Sequence, residues 1–178
     1  MKVVDINGGP PRDTGSAPDG TPVEQLASHM VHVFSLPALP IKQRFSILLN
    51  RTCGVLGMDY GYITLPQEPV ATVPFHSAKM VLRPPRPGKL TLSHLMSRNR
   101  KPLHFDDPDA APEGEYIDQT GYVPYRFVGA PIIFDGRVYG TVEFGGAKAG
   151  DALLTPDRVM LVRILSGLAA GSLVLLSD

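Results

Sequence analysis

The stretch that most constrains the fold runs from Arg126 to Phe144, RFVGAPIIFDGRVYGTVEF. Two runs rich in Val, Ile, Phe and Tyr flank Asp135-Gly136. A two-residue type I′ hairpin needs positive φ at both central residues, which Gly adopts freely and Asp tolerates. Residues 127–134 and 137–144 are therefore expected to pair as antiparallel strands at the centre of one sheet. Pro131 has no N–H for a ladder bond, so its position is expected to be a bulge or an unpaired edge site. Alternation puts Tyr139, Thr141 and Glu143 on one face and Val138, Gly140, Val142 and Phe144 on the other. The apolar set is expected to pack on helices and the polar set to face a pocket.

The rest of the chain supplies cover for that sheet. Residues 1–20 are rich in Gly, Pro, Asp and Ser without apolar periodicity, which predicts a flexible leader ahead of a single domain over 21–178. Thr21-Pro22-Val23-Glu24 combines a cap, a first-turn Pro and a capping-box acid, and Val23, Leu26, Ala27, Met30 and Phe34 then mark one helical face. Pro37 and Pro40 stop this helix and restart another. In the second helix Ile41, Phe45, Leu48, Leu49, Thr52, Cys53 and Leu56 recur at helical spacing before Gly57. Tyr60–Leu65 reads as a strand, a second is expected near Val73–Val81, and the prolines of Arg83–Gly88 mark a loop. A short helix over Thr91–Asn99 and a short strand over Leu103–Phe105 follow. The loop 106–124 is long enough to suggest a functional role. Gly145–Gly150 reads as a turn, and Thr155-Pro156-Asp157 opens a last helix that is apolar almost all round from Val159 to Leu176. Such a helix needs cover on more than one side.

This order predicts an α+β fold. A central, mostly antiparallel sheet of about five to six strands carries the N- and C-terminal helices on one face, with the short helix and long loops over the other. A hydrophobic share of 43% in 178 residues supports one cored domain, and 17 basic against 17 acidic residues give no bulk attraction to nucleic acid or an anionic membrane. The uncharged run Ile164–Ser177 is shorter than the ~20 residues that span a bilayer. Cys53, the single cysteine, excludes an intramolecular disulfide and a Cys-cluster metal site. Met1 is not followed by a basic region and a long apolar run, so no secretory signal is read and a cytoplasmic location is expected. Charge is blocked along the chain. Lys79, Arg83, Arg86, Lys89, Arg98, Arg100 and Lys101 fall in a segment without acids, and Asp106, Asp107, Asp109, Glu113, Glu115 and Asp118 follow without a cation. Two solvated faces that attract one another are expected.

The segments FVGAPIIFDGRVYGTVEFGG and LTPDRVMLVRILSGLAAGSLV resemble the GAF domain family. That family shows a small-apolar-Pro strand, an Asp-Gly turn, a Gly-hydrophobic-acid strand and a helix entered by Ser or Thr. SRNRKPLHFDDP is similar to the helix, turn and strand ahead of the family's ligand loop. The resemblance spans about residues 23–176 and implies a sensory domain without fixing its ligand.

Several chemistries are set aside on the residues present. The branch similar to free methionine sulfoxide reductases relies on reactive cysteines, whereas Cys53 sits on the apolar face of a predicted helix, where a thiol is inert. Cys53 also lies far from where bilin-binding members attach chromophore. The stretch matching the haem ligand loop, TGYVPYRFVGAP, has Tyr122 and Tyr125 but no His. His29, His32, His76, His94 and His104 lack metal-ligand spacing, and Asp106, Asp107 and Asp109 lack the pattern of a calcium loop. Asn99, Lys101, Phe105 and Asp109 match the family's cyclic-nucleotide pattern only loosely. No metal site or catalytic residue is assigned, and the cofactor is left unknown.

The expectation is a non-enzymatic sensory or regulatory domain. An unidentified small molecule would bind against Glu143, Thr141, Tyr139, Phe127, Arg126, Tyr125, Tyr122 and Tyr116. In the methionine sulfoxide branch the acid matching Glu143 helps hold the ligand. Arg126 or a cationic ligand group is expected to balance Glu143, since an unpaired buried carboxylate is costly. A homodimer through the first and last helices would pass the signal to a separate protein. The competing reading is a protein–protein interaction module whose pocket is filled by its own side chains.

Overall fold

A computed structural model describes residues 20–66, 72–77, 90–112, 116–149 and 153–174. In chain order its elements are α1 (Pro22–Ser35), α2 (Ile41–Leu56), β1 (Tyr60–Leu65), β2 (Thr72–His76), α3 (Leu92–Asn99), β3 (Leu103–Phe105), β4 (Arg126–Phe134), β5 (Arg137–Gly146) and α4 (Pro156–Val174). Residues 1–19 and the loop expected at Arg83–Gly88 lie outside the described residues.

The hairpin closes as its turn residues dictate, with φ of 46° at Asp135 and 69° at Gly136. All pairings are antiparallel and the strand order is β2-β1-β5-β4-β3, so the hairpin occupies the middle of a sheet of five strands among the described residues. β3 pairs with β4 only as far as Leu103↔Gly129. Pro131 lies past that end, opposite Thr141, and its outward edge has no strand neighbour among the described residues. The missing N–H therefore costs the sheet nothing, and the Pro131 carbonyl instead accepts a hydrogen bond from Ser166 Oγ of α4 at 2.6 Å.

Capping residues set the helix ends. At Thr21 both halves of a capping box form, with Glu24 Oε2 accepting from Thr21 N at 2.7 Å and Thr21 Oγ1 accepting from Glu24 N at 3.3 Å. Gly57 ends α2 in the left-handed region at φ 66°. α2 and α4 pack on one face of the sheet, with α1 lying against both, and α3 packs on the other face. The helix side holds the main core, where Met30, Phe45, Leu48, Leu49, Phe144, Leu161 and Leu165 are fully buried. Each contributes roughly 1.5–3 kcal/mol by leaving water. α4 meets the requirement for broad cover in an economical way. Leu161, Val162, Leu165, Ala169, Ala170 and Leu173 are buried, while Arg163, Gly167 and Gly171 lie on the exposed side. Among the described residues no helix is long and apolar enough to cross a membrane.

Several expectations need correction. β5 continues through Gly145 and Gly146, because Phe127 and Arg126 of β4 extend the ladder beside them. The second strand stops at His76, and residues 78–81 lie outside the described residues. Alternation also fails at one point in β5. The register steps from Ile132↔Gly140 to Ile133↔Val138, so Tyr139 is the extra residue of a bulge. Tyr139, and not Val138, joins the helix-side core, with its ring edge-on to Phe134 at 6.4 Å. Gly140 makes this possible: it takes φ 156°, and a Cβ there would stand 2.0 Å from the Thr64 carbonyl oxygen.

The two charge blocks do not pair with each other among the described residues. Asp106 turns inward to Arg126 Nε at 2.9 Å and accepts from Leu154 N, while Asp107 caps the short 3-10 turn Pro108–Ala110. Asp118 is 1% exposed. Asp106, Asp107 and Asp118 thus spend their carboxylates on local backbone and interior partners rather than on Arg98, Arg100 or Lys101. Lys79, Arg83, Arg86, Lys89, Glu113 and Glu115 lie outside the described residues.

Candidate functional site

The α3 side of the sheet divides into a polar half and an apolar half, and the division follows from register. In β1, YGYITL, alternation sends Tyr60, Tyr62 and Thr64 to one face. β1 pairs with β5 so that Tyr62 lies opposite Glu143 and Thr64 opposite Thr141. Four polar side chains thus meet in mid-sheet. Tyr62, Thr141 and Glu143 are fully buried and Thr64 is 2% exposed.

Hydrogen bonds satisfy this cluster internally. Tyr62 Oη donates to Glu143 Oε2 at 2.8 Å, and Thr141 Oγ1 donates to Glu143 Oε1. Thr64 Oγ1 and Thr141 Oγ1 lie 2.5 Å apart. From above, α3 contributes Ser93 and the loop between β3 and β4 contributes Gln119. Gln119 N donates to Tyr62 Oη at 3.3 Å, and its side-chain amide donates to Ser93 Oγ at 3.4 Å.

Burial pushes the Glu143 carboxyl up to about 7, hydrogen bonds from Ser93, Thr141 and Tyr62 pull against that rise, and the nearby Asp118 adds to it. Among the described residues no cation pairs with Glu143. Asp118 is likewise raised by burial, against hydrogen bonds from Thr120 and Tyr60. Its Oδ1 accepts from Thr120 N at 2.8 Å, and its Oδ2 accepts from Tyr60 Oη. The Tyr60 and Tyr62 rings stack with centroids 6.2 Å apart. Burial first, then the neighbouring carboxylates, pushes both phenols upward. At neutral pH they act as hydrogen-bond donors and not as phenolates. The cluster can therefore hold a proton, accept donors from a ligand or balance a cation.

The apolar half lies over β4 and β3. Phe127, Phe105, Leu92 and Met96 form a second buried core, with Tyr116 packed at its margin. Gly129 lets α3 settle there, since a Cβ at that position would meet the Met96 side chain at 2.7 Å.

The predicted residues separate accordingly. Glu143 and Thr141 share the polar cluster, and Phe127 and Tyr116 share the apolar one. Tyr125 is half-buried at the entrance to β4, where its N–H bonds the Gly146 carbonyl, and Tyr122 is exposed. Tyr139 lies on the opposite face because of the bulge. Arg126 also leaves the sheet opposite to Phe127, where its guanidinium meets Asp106 and the Gly57 carbonyl at the end of α2. It cannot balance Glu143. Sequence reasoning missed Tyr60, Tyr62, Thr64, Ser93, Asp118 and Gln119. The alternation of Tyr60, Tyr62 and Thr64 was a usable signal once β1 is set beside β5. For Gln119, in an irregular loop, no sequence signal existed.

Cys53 is buried on α2, on the helix side of the sheet. Among the described residues no group of three His, Cys, Asp or Glu side chains could hold a metal ion.

The fold has many solved counterparts. The GAF domain of a phosphoenolpyruvate-protein phosphotransferase (ptsP) from Coxiella burnetii superposes with a TM-score of 0.63 at 15% identity, covering 88% of this chain and 97% of that one. The A. aeolicus nlh2 GAF domain in an inactive state gives 0.66 at 10% identity, covering 86% and 96%. Free methionine-R-sulfoxide reductase from Neisseria meningitidis, in complex with its substrate, gives 0.59 at 12% identity, covering 85% and 89%. At these identities the likeness concerns the fold alone. No curated protein matches the chain significantly. The sequence model of the GAF domain matches residues 38–173. A match over most of the chain, with the five-stranded antiparallel sheet between its two helical layers, shows that this protein belongs to the GAF domain family.

Proposed function

We propose that this chain, a member of the sensory and regulatory GAF domain family, is non-enzymatic and binds a small molecule on the α3 side of its sheet. The ligand presents a hydrogen-bond donor or a cationic group to Glu143. One observation carries the reading: a fully buried carboxyl, raised to about 7, has only hydroxyl donors and no cation among the described residues. Leaving a carboxylate so placed costs stability unless something offsets it. Structural frameworks usually avoid that cost, whereas ligand sites retain such groups. Glu143, Thr141, Tyr62, Ser93 and Gln119 supply polar recognition, and Phe127 and Tyr116 an apolar wall. The chain's one thiol, Cys53, is buried away from this face, which supports a sensor over a thiol-dependent reductase.

The signal passes through the sheet to α1 and α4, whose exposed positions Val31, Met160 and Gly171 form the homodimer contact. Binding shifts the balance between arrangements of that interface. Light scattering at high micromolar concentration tests the dimer, and a monomer removes it.

Native mass spectrometry of freshly purified protein, followed by a thermal-shift screen of amines, amino acids and nucleotides, tests the ligand. A retained or stabilising compound whose effect is lost in Glu143→Ala supports the sensor. The second reading, an interaction module with a self-filled pocket, draws on the closed hydrogen-bond set around Glu143 and the buried Phe127 ring. A blank screen, with a partner protein captured and displaced by Tyr116→Ala, favours it.

A further inference from the structure

The C-terminal end of the cation-rich segment has no part in the reading above. Arg98, Arg100 and Lys101 are exposed at the end of α3 and just beyond it, and Arg163 is exposed on α4. Among the described residues no carboxylate pairs with any of them; the ion pair there joins Arg126 to Asp106. Arg100 is the C-cap of α3 at φ 54°, with its N–H bonded to the Met96 carbonyl at 2.8 Å. This conformation turns the chain back toward the edge of β4.

Among the described residues that edge has no strand neighbour just there. β3 stops pairing at Gly129, and α4 crosses the gap, tied down by the bond from Ser166 Oγ to the Pro131 carbonyl. The gap is a groove of about 220 Å³. Arg100 stands on one side, Arg163 and Gly167 on the other, Pro131 and Ser166 are at the base, and the exposed Ile133 adds an apolar flank. Among the described residues no carboxylate lines it.

Two arginines lining one groove give it a positive potential, and an anion held between them is attracted to both. Guanidinium forks match carboxylate and phosphate oxygens in pairs. The base adds no donor, because Pro131 has no N–H and the Ser166 hydroxyl proton is already committed. Recognition therefore rests on the arginines for charge and on Pro131 and Ile133 for an apolar body. Drug-sized ligands occupy roughly 300–1,000 Å³, so this groove suits something smaller. We propose that it is a second ligand site, for a small organic anion bearing a carboxylate or a phosphate monoester. The bound anion bridges the end of α3, which covers Glu143, to α4 on the opposite face of the sheet.

The test is a titration at fixed ionic strength, balanced with chloride, using inorganic phosphate, glycerol 3-phosphate and succinate as probes. Binding is read by calorimetry and by thermal shift. General salt stabilisation by surface exclusion does not saturate, so saturation is the required signature. The expected result is a saturable response to at least one probe, weakened at least tenfold in Arg163→Gln and in Gly167→Glu. The second variant puts a competing carboxylate into the groove, at a position where a Cβ meets nothing within 4 Å, so the fold is kept. Arg51→Gln, on the outer side of α2, leaves the response unchanged. The phosphate and succinate arms distinguish the two anion chemistries. No saturable response to any probe, or one equally strong in both groove variants, overturns the proposal. The two sites share no lining residue, so this site and the Glu143 site stand or fall separately.

Discussion

Replacing Glu143 by Gln separates the charge of this buried group from its hydrogen bonds. The glutamine has nearly the same shape. Its carbonyl accepts from Tyr62 Oη, and its amide donates to Thr141 Oγ1, which still has Thr64 Oγ1 as a partner. What disappears is titration. The carboxyl has an ordinary value of 4.5 and is raised to about 7 in the folded state. Between those values the folded protein binds a proton that the unfolded chain has released, so stability falls as pH rises through the window. The contribution is fully present below pH 4.5 and gone above pH 7. Integrated from pH 5 to pH 8 it amounts to roughly 2–3 kcal/mol. For a domain of this size that is about 5–10 °C in Tm. Urea unfolding of wild type and Glu143→Gln at intervals from pH 5 to pH 8 measures it. His29 on α1 titrates in both proteins and cancels in the difference, whereas the coupling of Asp118 to Glu143 is lost with the charge and is part of what is read. The variant is expected to be less pH-dependent by that amount and at least as stable as wild type at pH 8. Parallel profiles would refute the reasoning, because they would mean that Glu143 is solvated or already balanced by a cation.

Three further substitutions test the fold that holds the site. Gly140→Ala forces a Cβ against the Thr64 carbonyl at a φ that side chains rarely adopt, and is expected to cost more than about 3 kcal/mol in urea unfolding. Gly167→Ala on the exposed side of α4 meets open space and is expected to gain roughly 0.5–1 kcal/mol from helix propensity. Asp106→Asn weakens the link between the 2%-exposed Arg126 and the 29%-exposed carboxylate, and is expected to cost about 2 kcal/mol, below the range for a fully buried pair. That loss should survive 0.5 M salt, since a screened surface pair would contribute nothing there.

Local signals carried most of the fold. Asp135-Gly136 gave the turn, Thr21 and Glu24 the first cap, Gly57 the end of α2, and period-two alternation the two faces of β5 from Gly140 onward. Alternation was legible because each residue's face depends only on its neighbours along the strand. It failed at Tyr139 because a bulge depends on the partner strand: the extra residue is accommodated where Gly140 meets Thr64 of β1, some 75 positions away in sequence. The same limit governs the candidate site. Glu143 stood out on its own as a charged residue in a central strand, but its neighbours come from β1, α3 and the loop after β3, and only register brings them together. Arg126 shows the opposite error. Nearness in sequence made it a natural counter-charge for Glu143, yet it sits at an odd offset from Gly129, the residue paired with Glu143, and one step of alternation sends it to the other face. Among the described residues, the segments that reach Glu143 from β1, α3 and the loop after β3 supply Tyr60, Tyr62, Ser93 and Gln119, which are hydroxyls and an amide. These groups solvate a carboxyl without neutralising it, and in such an arrangement a cationic or proton-donating ligand would make the largest difference.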